Sequence, residues 1–371
     1  MAVITEDAIR ELAGIRGGEA PITSCYLDVD GRRLIRHQDV EHELEVVLRD
    51  ARHRANGHRS VHDDLRRIEA YVRGGIDRKV TRGLAIFACT ATDLWEVIEL
   101  TMPVRSQLVI NHAPAVGQLE AVLQEHEPIG VLLADKQRAR LLVFQQGQLL
   151  EHTELIDELP RDYDVRGERE RGTPESHVDE LAQQHLRRAA RAAFDLYQER
   201  GFHHLTIGAP DAIAGELERA LHPYLRERLC GRIRVGVSAS DSDVLKAAEE
   251  VEAEVERRRE AAVVAKLREA AITGRRGVAG LAATLEALHS RRAERLVVSK
   301  GYVEEGWRCP SSGALALIGP TNPLNGETME RVDDVVEDAI EEALTQGLPV
   351  TICVDNADLD VLGRIGALLR Y

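Results

Sequence analysis

Apolar positions along this chain switch repeatedly between a period of two, which marks strands, and a period of about 3.6, which marks helices. After a short helical stripe of Ala8, Ile9, Leu12 and Ala13, residues 22–30 alternate as Ile-Thr-Ser-Cys-Tyr-Leu-Asp-Val-Asp and predict a strand. Val40, Leu44, Val47, Leu48 and Ala51, then Val61, Leu65, Ile68 and Val72, recur at helical spacing and predict helices over 38–55 and 61–73. Strands at 84–89, 95–102 and 107–111 and a helix at 114–125 complete an α/β segment, placed at 1–128. A meander follows, with strands at 129–134, 139–145 and 148–156. Beyond a polar stretch come a helix to about residue 200, a strand at 204–208, a helix from 211, a short helix near 224–229 and a strand at 232–237. Three strands and then α, β, α, β is the order of a ribonuclease-H-like sheet, and this middle segment spans 129–238. The last segment, 239–371, opens on a long charged helix over 243–271 whose stripe of Leu245, Ala248, Val251 and Val255 is narrow enough for a connector. Gly274, Gly277 and Gly280 read as a hinge before a helix at 281–288. A strand at 295–299, an irregular tract to 326, a helix at 331–346 and strands at 350–354 and 366–369 follow. The fold class is α/β in three domains.

The polar stretch is the least structured part of this pattern. It carries Arg166, Arg169 and Arg171 and ends at Thr173-Pro174, a helix start in which Thr caps an orphan N–H and Pro has none to lose. A loop of this length inside a compact domain is functional or disordered. Asp164, Glu168 and Glu170 alternate with the arginines, so two readings stand: guanidinium forks for phosphates, or a solvated ladder of opposite charges.

Composition narrows the choice. The formal net charge is −15, which excludes coating nucleic acid through a broad positive field. The acidic excess lies in the flanking segments; the middle one is nearly neutral. Five scattered cysteines, Cys25, Cys89, Cys230, Cys309 and Cys353, argue for a reducing compartment. With no apolar run long enough for a bilayer and no signal-peptide pattern at the start, the expectation is a cytoplasmic protein with no membrane partner. His37, His42, His53, His58 and His62 suggest a metal site, but Arg52, Arg54, Arg59, Arg66 and Arg67 are interspersed and would repel a cation. A solvated basic helix pair is the expectation, with no metal and no cofactor.

Two further patterns carry candidate chemistry. Asp135, Glu180 and Asp211 lie near the positions where a ribonuclease-H-like nuclease places its metal-binding carboxylates. Asp135 also suits a tight turn and Asp211 a helix start. Cys309-Pro-Ser-Ser312-Gly and Asn322-Pro-Leu-Asn325-Gly repeat one form, X-Pro-x-X-Gly. A zinc ribbon has Cys at all four X positions. Only Cys309 is one here, so residues 307–326 are expected to be a metal-free, degenerate ribbon.

In the middle segment, Arg171-Gly-Thr-Pro-Glu-Ser176, the helix to Arg200, His204-Leu-Thr-Ile-Gly208 and the tract to Gly231 resemble the catalytic domain of archaeal and eukaryotic class-one peptide chain release factors and of Pelota. The last segment, with Leu281-Ala-Ala-Thr-Leu-Glu-Ala-Leu288, Arg295-Leu-Val-Val-Ser299 and Gly363-Arg-Ile-Gly-Ala-Leu-Leu-Arg-Tyr371, resembles their domain related to kink-turn-binding ribosomal proteins. The order covers nearly the whole chain, which most resembles the bacterial homologues of that superfamily. The resemblance implies a tRNA-shaped factor that enters the ribosomal A site. Its first domain would face the decoding centre, its middle loop would contact rRNA near the peptidyl-transferase centre, and its third domain would meet a translational GTPase.

The residues depart from the family at both functional ends. Release factors carry Gly-Gly-Gln on the middle loop, and the Gln backbone N–H is assigned an oxyanion-stabilising role. The match here is Gly172-Thr173-Pro174, and Pro has no N–H. Gln183 and Gln184 lie inside the predicted helix. Eukaryotic factors read stop codons with Asn-Ile-Lys-Ser, where this chain has Asn56-Gly57-His58-Arg59-Ser60. The expectation is occupancy of an A site in rescue or hibernation, with no catalytic residue; a peptidyl-tRNA ester hydrolase and the metal-dependent nuclease are the alternatives. Oligomeric state is left open.

Overall fold

The computed structural model describes residues 5–18, 20–55, 59–125, 127–156, 174–322 and 326–371. They form two compact units, one of Met1–Gln124 with Arg257–Tyr371 and the other of Glu125–Glu256.

The chain enters the first unit through α1 (Glu6–Ala13), capped by Thr5 Oγ1, which accepts from the Ala8 N–H at 3.3 Å. Strand β1 (Ile22–Asp28) leads to α2 (His37–Arg54) and α3 (Arg59–Arg73), followed by β2 (Gly83–Cys89), β3 (Leu94–Leu100), β4 (Gln107–Asn111) and α4 (Gly117–Glu125). The sheet order is β3-β2-β1-β4, with antiparallel neighbours. Period-two alternation divides its two faces. Cys25, Leu27, Leu84 and Ile86 pack on the apolar stripes of α2 and α3, while Tyr26, Ala85 and Phe87 point into a different core.

In the second unit, β5 (Ile129–Ala134), β6 (Arg138–Gln145) and β7 (Gln148–Ile156) form the expected antiparallel meander. Gln146 and Gly147, both at positive φ (48° and 72°), make the β6–β7 turn. Helix α5 (Pro174–Arg200), β8 (His204–Gly208), α6 (Asp211–Ala220), α7 (Pro223–Glu227) and β9 (Leu229–Arg232) follow. The order is β7-β6-β5-β8-β9, with β8 parallel to both β5 and β9. Leu132, Leu141 and Val143 face Leu186, Ala189 and Leu217 of α5 and α6, whereas Val131, Leu133 and Phe144 face Val244 and Ala248 of α8 (Asp241–Ile272).

The remainder of the first unit contains β10 (Gly277–Ala279), α9 (Leu281–His289), β11 (Ala293–Ser299), β12 (Gly306–Arg308), β13 (Leu315–Ala316), β14 (Glu330–Val332), α10 (Val335–Thr345), β15 (Val350–Cys353), α11 (Ala357–Val361) and β16 (Ile365–Leu369). One sheet runs β10-β16-β11-β15, with β15 parallel to β11; a small one runs β13-β12-β14. A single core joins Tyr26, Phe87 and Leu119 to Leu285, Leu296, Val336, Ile340 and Ile365.

Elements that differ from the sequence expectation include β12 and β13, which form in the tract read as irregular, and three more. The glycine tract at 274–280 is not only a hinge, because Gly277–Ala279 pairs with β16. The expected strand at 232–237 ends at Arg232. The Val237 and Ala239 carbonyls accept from Arg140 Nη1 at 2.8 and 2.6 Å, so a side chain takes the place of a ladder. The helix expected from 331 begins at Val335, because Asp334 caps it by accepting from the Val336 and Glu337 N–H groups.

Candidate functional site

The loop predicted to contact RNA joins the edge strand β7 to α5. Arg166, Arg169, Arg171, Gly172 and Thr173 lie outside the described residues; Pro174 is the first residue of α5, where its missing N–H costs nothing. Along α5, Ala182, Leu186, Ala189, Ala190, Ala193 and Leu196 are buried. Gln183 and Arg187, on the neighbouring stripe, line a cavity of about 230 Å³ with Glu216, Arg219 and Ala220 of α6. Gln183 is thus fixed in a helix, well past its first turn.

The carboxyl ends of β5 and β8 are where an open α/β sheet of this kind presents ligands. A cavity of about 610 Å³ there is lined by Asp135, Arg138, Pro210 and the 233–239 loop. Asp135 Oδ1 accepts from the N–H groups of Gln137 at 2.8 Å and Arg138 at 2.6 Å, and its Oδ2 faces the Arg138 guanidinium at 3.4 Å. A carboxylate held by its own turn and by a cation is a poor metal ligand. Among the described residues, no group of three or more His, Cys, Asp or Glu is arranged to hold a metal.

At the opposite end of the strands lies a cluster with no sequence signal, since its members are far apart in the chain. His204, buried at the start of β8, has Nε2 3.0 Å from Glu127 Oε2 and Nδ1 3.1 Å from Cys230 Sγ. Burial pushes the nearby Glu252 carboxyl up to about 8, against the lowering effect of His204.

Asn56 and His58 of the decoding-end candidates lie outside the described residues; Arg59 begins α3 and is exposed. His37, His42, His53 and His62 are also exposed, and His37 faces Glu41 at 3.7 Å. In the X-Pro-x-X-Gly pair, the Gly313 N–H donates to the Cys309 carbonyl at 2.8 Å and the Gly326 N–H to the Asn322 carbonyl at 2.9 Å, with φ of 69° and 73° at the two glycines. The two tracts therefore close with the same hydrogen bond onto a glycine at positive φ. Cys309 is buried, with Sγ 3.3 Å from Ser311 Oγ and 3.1 Å from Glu327 Oε2. Hydrogen bonds from Ser311 and Ser312, then Asn322, lower its thiol to about 7. Asn325 lies outside the described residues. One thiol among hydroxyl and amide groups does not match the thiolate set of a zinc ribbon.

Residues 114–253, which take in most of the second unit, match the family model for bacterial archaeo-eukaryotic release factor family 10. Over those residues, which are less than half of the chain, the protein is similar to that family. No curated protein matches it. Among solved structures, the archaeal translation termination factor aRF1 aligns at 15% identity over 100% of this chain and 99% of that chain, with a TM-score of 0.27. Archaeoglobus fulgidus Pelota aligns at 15% over 100% and 94%, TM-score 0.37, and S. cerevisiae Dom34 at 11% over 80% and 83%, TM-score 0.40.

Proposed function

We propose that this release factor-like chain is a ribosome-associated translation factor that occupies the A site in rescue or hibernation without efficient peptidyl-tRNA hydrolysis. One observation carries the reading. The tract between β7 and α5, inside the matched segment, offers Gly172-Thr173-Pro174 and no glutamine. An oxyanion hole built on a backbone N–H needs a donor there, and Pro174 has none. Arg166, Arg169 and Arg171 remain, and guanidinium groups suit bidentate contact with rRNA phosphates.

In this reading the chain has domains at 1–128, 129–238 and 239–371, the middle one ribonuclease-H-like. The last is akin to kink-turn-binding ribosomal proteins, with 307–326 a ribbon that has lost its ligands. Asn56, His58 and Arg59 face the decoding centre. A translational GTPase is the partner of the third domain. Dom34 is described as a termination-like factor interacting with Hbs1, and archaeal Pelota as ribosome-bound with ABCE1; a corresponding partner for this chain belongs to the proposal.

Sedimentation through a sucrose cushion tests it. The wild-type chain is expected to pellet with ribosomes, and the triple Arg166→Glu, Arg169→Glu, Arg171→Glu variant to pellet about tenfold less, since each reversed charge loses a phosphate contact and adds repulsion. Equal pelleting of the variant removes the loop from the account; no pelleting of the wild type removes the ribosome.

A further inference from the structure

Aromatic residues are scarce in this chain, at 4%, yet five rings form a row on one face of the second unit. Phe202 at its inner end is buried and sits against the backbone of Gly130, where a Cβ would come within 2.9 Å of the ring. Tyr197 meets Phe202 edge-on at 5.2 Å and stacks on Phe194 at 6.2 Å. Phe194 stacks on His222 at 3.8 Å with 22° between the planes, and His222 lies 5.2 Å from Tyr224. Tyr224 ends the row and is 56% exposed. The order runs from an anchored ring to an open one.

The cations beside the row are arginines. The Arg228 guanidinium covers Tyr197 at 4.7 Å, and its Nη1 donates to the Tyr224 carbonyl at 2.9 Å, which holds the outer ring's backbone. On α5, Arg187 lies on the same side as Phe194, at helical spacing, and shares the cavity described above with Arg219 of α6, just ahead of His222. Glu216 also lines that cavity, so the face is mixed in charge with an arginine excess. Neither Arg187 nor Arg219 makes an ion pair among the described residues. An aromatic platform whose outer ring is open, next to planar cations, has the chemistry of single-stranded nucleic-acid recognition: the ring takes a base face and the guanidiniums take phosphates. A chain of net charge −15 has no broad field to do this, so the contact must be local.

We propose that this face is an RNA contact separate from the 166–174 loop, in which an unpaired base stacks on Tyr224 and the adjoining phosphates meet Arg187 and Arg219. The site does not require the ribosome, and it is tested without one. The full-length protein is titrated into a short fluorescein-labelled oligouridylate at low salt, and anisotropy is read. Wild type is expected to bind; Tyr224→Ala is expected to bind about tenfold more weakly, the size of one lost base stack; and Tyr224→Trp is expected to keep affinity, with its indole fluorescence quenched by the RNA. An Arg187→Glu, Arg219→Glu variant is expected to weaken binding and flatten its salt dependence. Because Tyr224 is largely exposed, an unchanged melting curve for Tyr224→Ala separates lost stacking from lost fold. Undetectable binding by wild type, or equal binding by Tyr224→Ala, overturns the proposal, the latter marking the row as a protein-facing or purely structural surface. Oligouridylate binding that persists where ribosome pelleting fails would overturn only the ribosome reading.

Discussion

At the scale of single residues, Asp64 shows what a periodic pattern hides. It lies on the apolar stripe of α3 between Val61 and Leu65 and is buried with them. Its Oδ1 accepts from the Thr90 N–H at 2.7 Å and from the Thr90 hydroxyl, and its Oδ2 accepts from the Thr23 hydroxyl at 3.2 Å. One carboxylate thus ties the helix to β1 and to the turn after β2. Burial raises its pKa, and the Thr90 bonds oppose that. Asp64→Ala leaves the Thr90 N–H and the Thr90 and Thr23 hydroxyls without their acceptor, and is expected to lose about 1–3 kcal/mol in urea unfolding. Asp64→Asn keeps one acceptor oxygen, and the Thr23 hydroxyl can turn to accept from the amide, so its loss is expected to be smaller. Equal stability of the Ala variant would mean that the three bonds contribute nothing net. The signal was present in the sequence as a charged residue inside a hydrophobic stripe; its partners, distant in the chain, were not.

At the scale of elements, regular spacing was legible and compensation by side chains was not. The stripes at 40–51 and 61–72 became α2 and α3, and the meander at 129–156 became β5, β6 and β7, because local period fixes which face is buried. The tract at 233–237 looked like a strand since it alternates Ile, Val and Val with polar residues. Arg140 overrides that pattern. Its guanidinium takes the Val237 and Ala239 carbonyls and pairs with Asp241 at 2.5 Å, fixing the loop to β6 and to the start of α8. Arg140→Met keeps most of the side chain's bulk but leaves two carbonyls and a carboxylate without a donor. Amide hydrogen exchange over 233–243 is therefore expected to speed up about tenfold or more, while amides of β5 keep their protection. Unchanged exchange in 233–243 would show that the loop is held by its backbone alone. The candidate site divides in the same way. The chain order and the Gly172-Thr173-Pro174 tract could be read directly, whereas the His204, Glu127 and Cys230 cluster and the ring row ending at Tyr224 exist only once distant elements pack.

At the scale of the whole molecule, the first unit buries a group of acids carried by one helix. The apolar residues Val332, Val335, Val336, Ala339, Ile340, Ala343 and Leu344 recur at the spacing of one buried helix face, and an amphipathic helix ordinarily turns the acids between them to water. Instead α10 is covered on both sides, and Glu337, Asp338 and Glu341 are buried along with Asp334. Residues from the start of the chain supply the second cover. The Gly117 N–H donates to Glu337 at 2.9 Å, Asn111 Nδ2 donates to Asp338 at 3.2 Å, and Arg16 pairs with Glu341. Arg308 stands 3.9 Å from Asp338 and 3.7 Å from Glu341. These contacts do not offset desolvation, since burial raises Glu337 and Asp338 to about 7 each, and Asp334 rises well above the usual carboxylate range. A carboxyl whose folded pKa exceeds its unfolded one binds its proton more tightly when folded, so its contribution is complete below the unfolded pKa and is lost as pH rises through the folded pKa. The first unit is therefore expected to lose stability as pH rises through about 7. Trp95 and Trp307 both belong to that unit and are the only tryptophans in the chain, so the midpoint of urea unfolding followed by tryptophan fluorescence reports on it selectively. The midpoint is expected to fall between about pH 5.5 and about pH 8.5. Glu337→Gln removes one of the titrating groups while retaining an acceptor for the Gly117 N–H, and it is expected to flatten that slope. A midpoint independent of pH in the wild type, or a slope unchanged in Glu337→Gln, would show that the protonated carboxyls of α10 do not hold the two parts of this unit together.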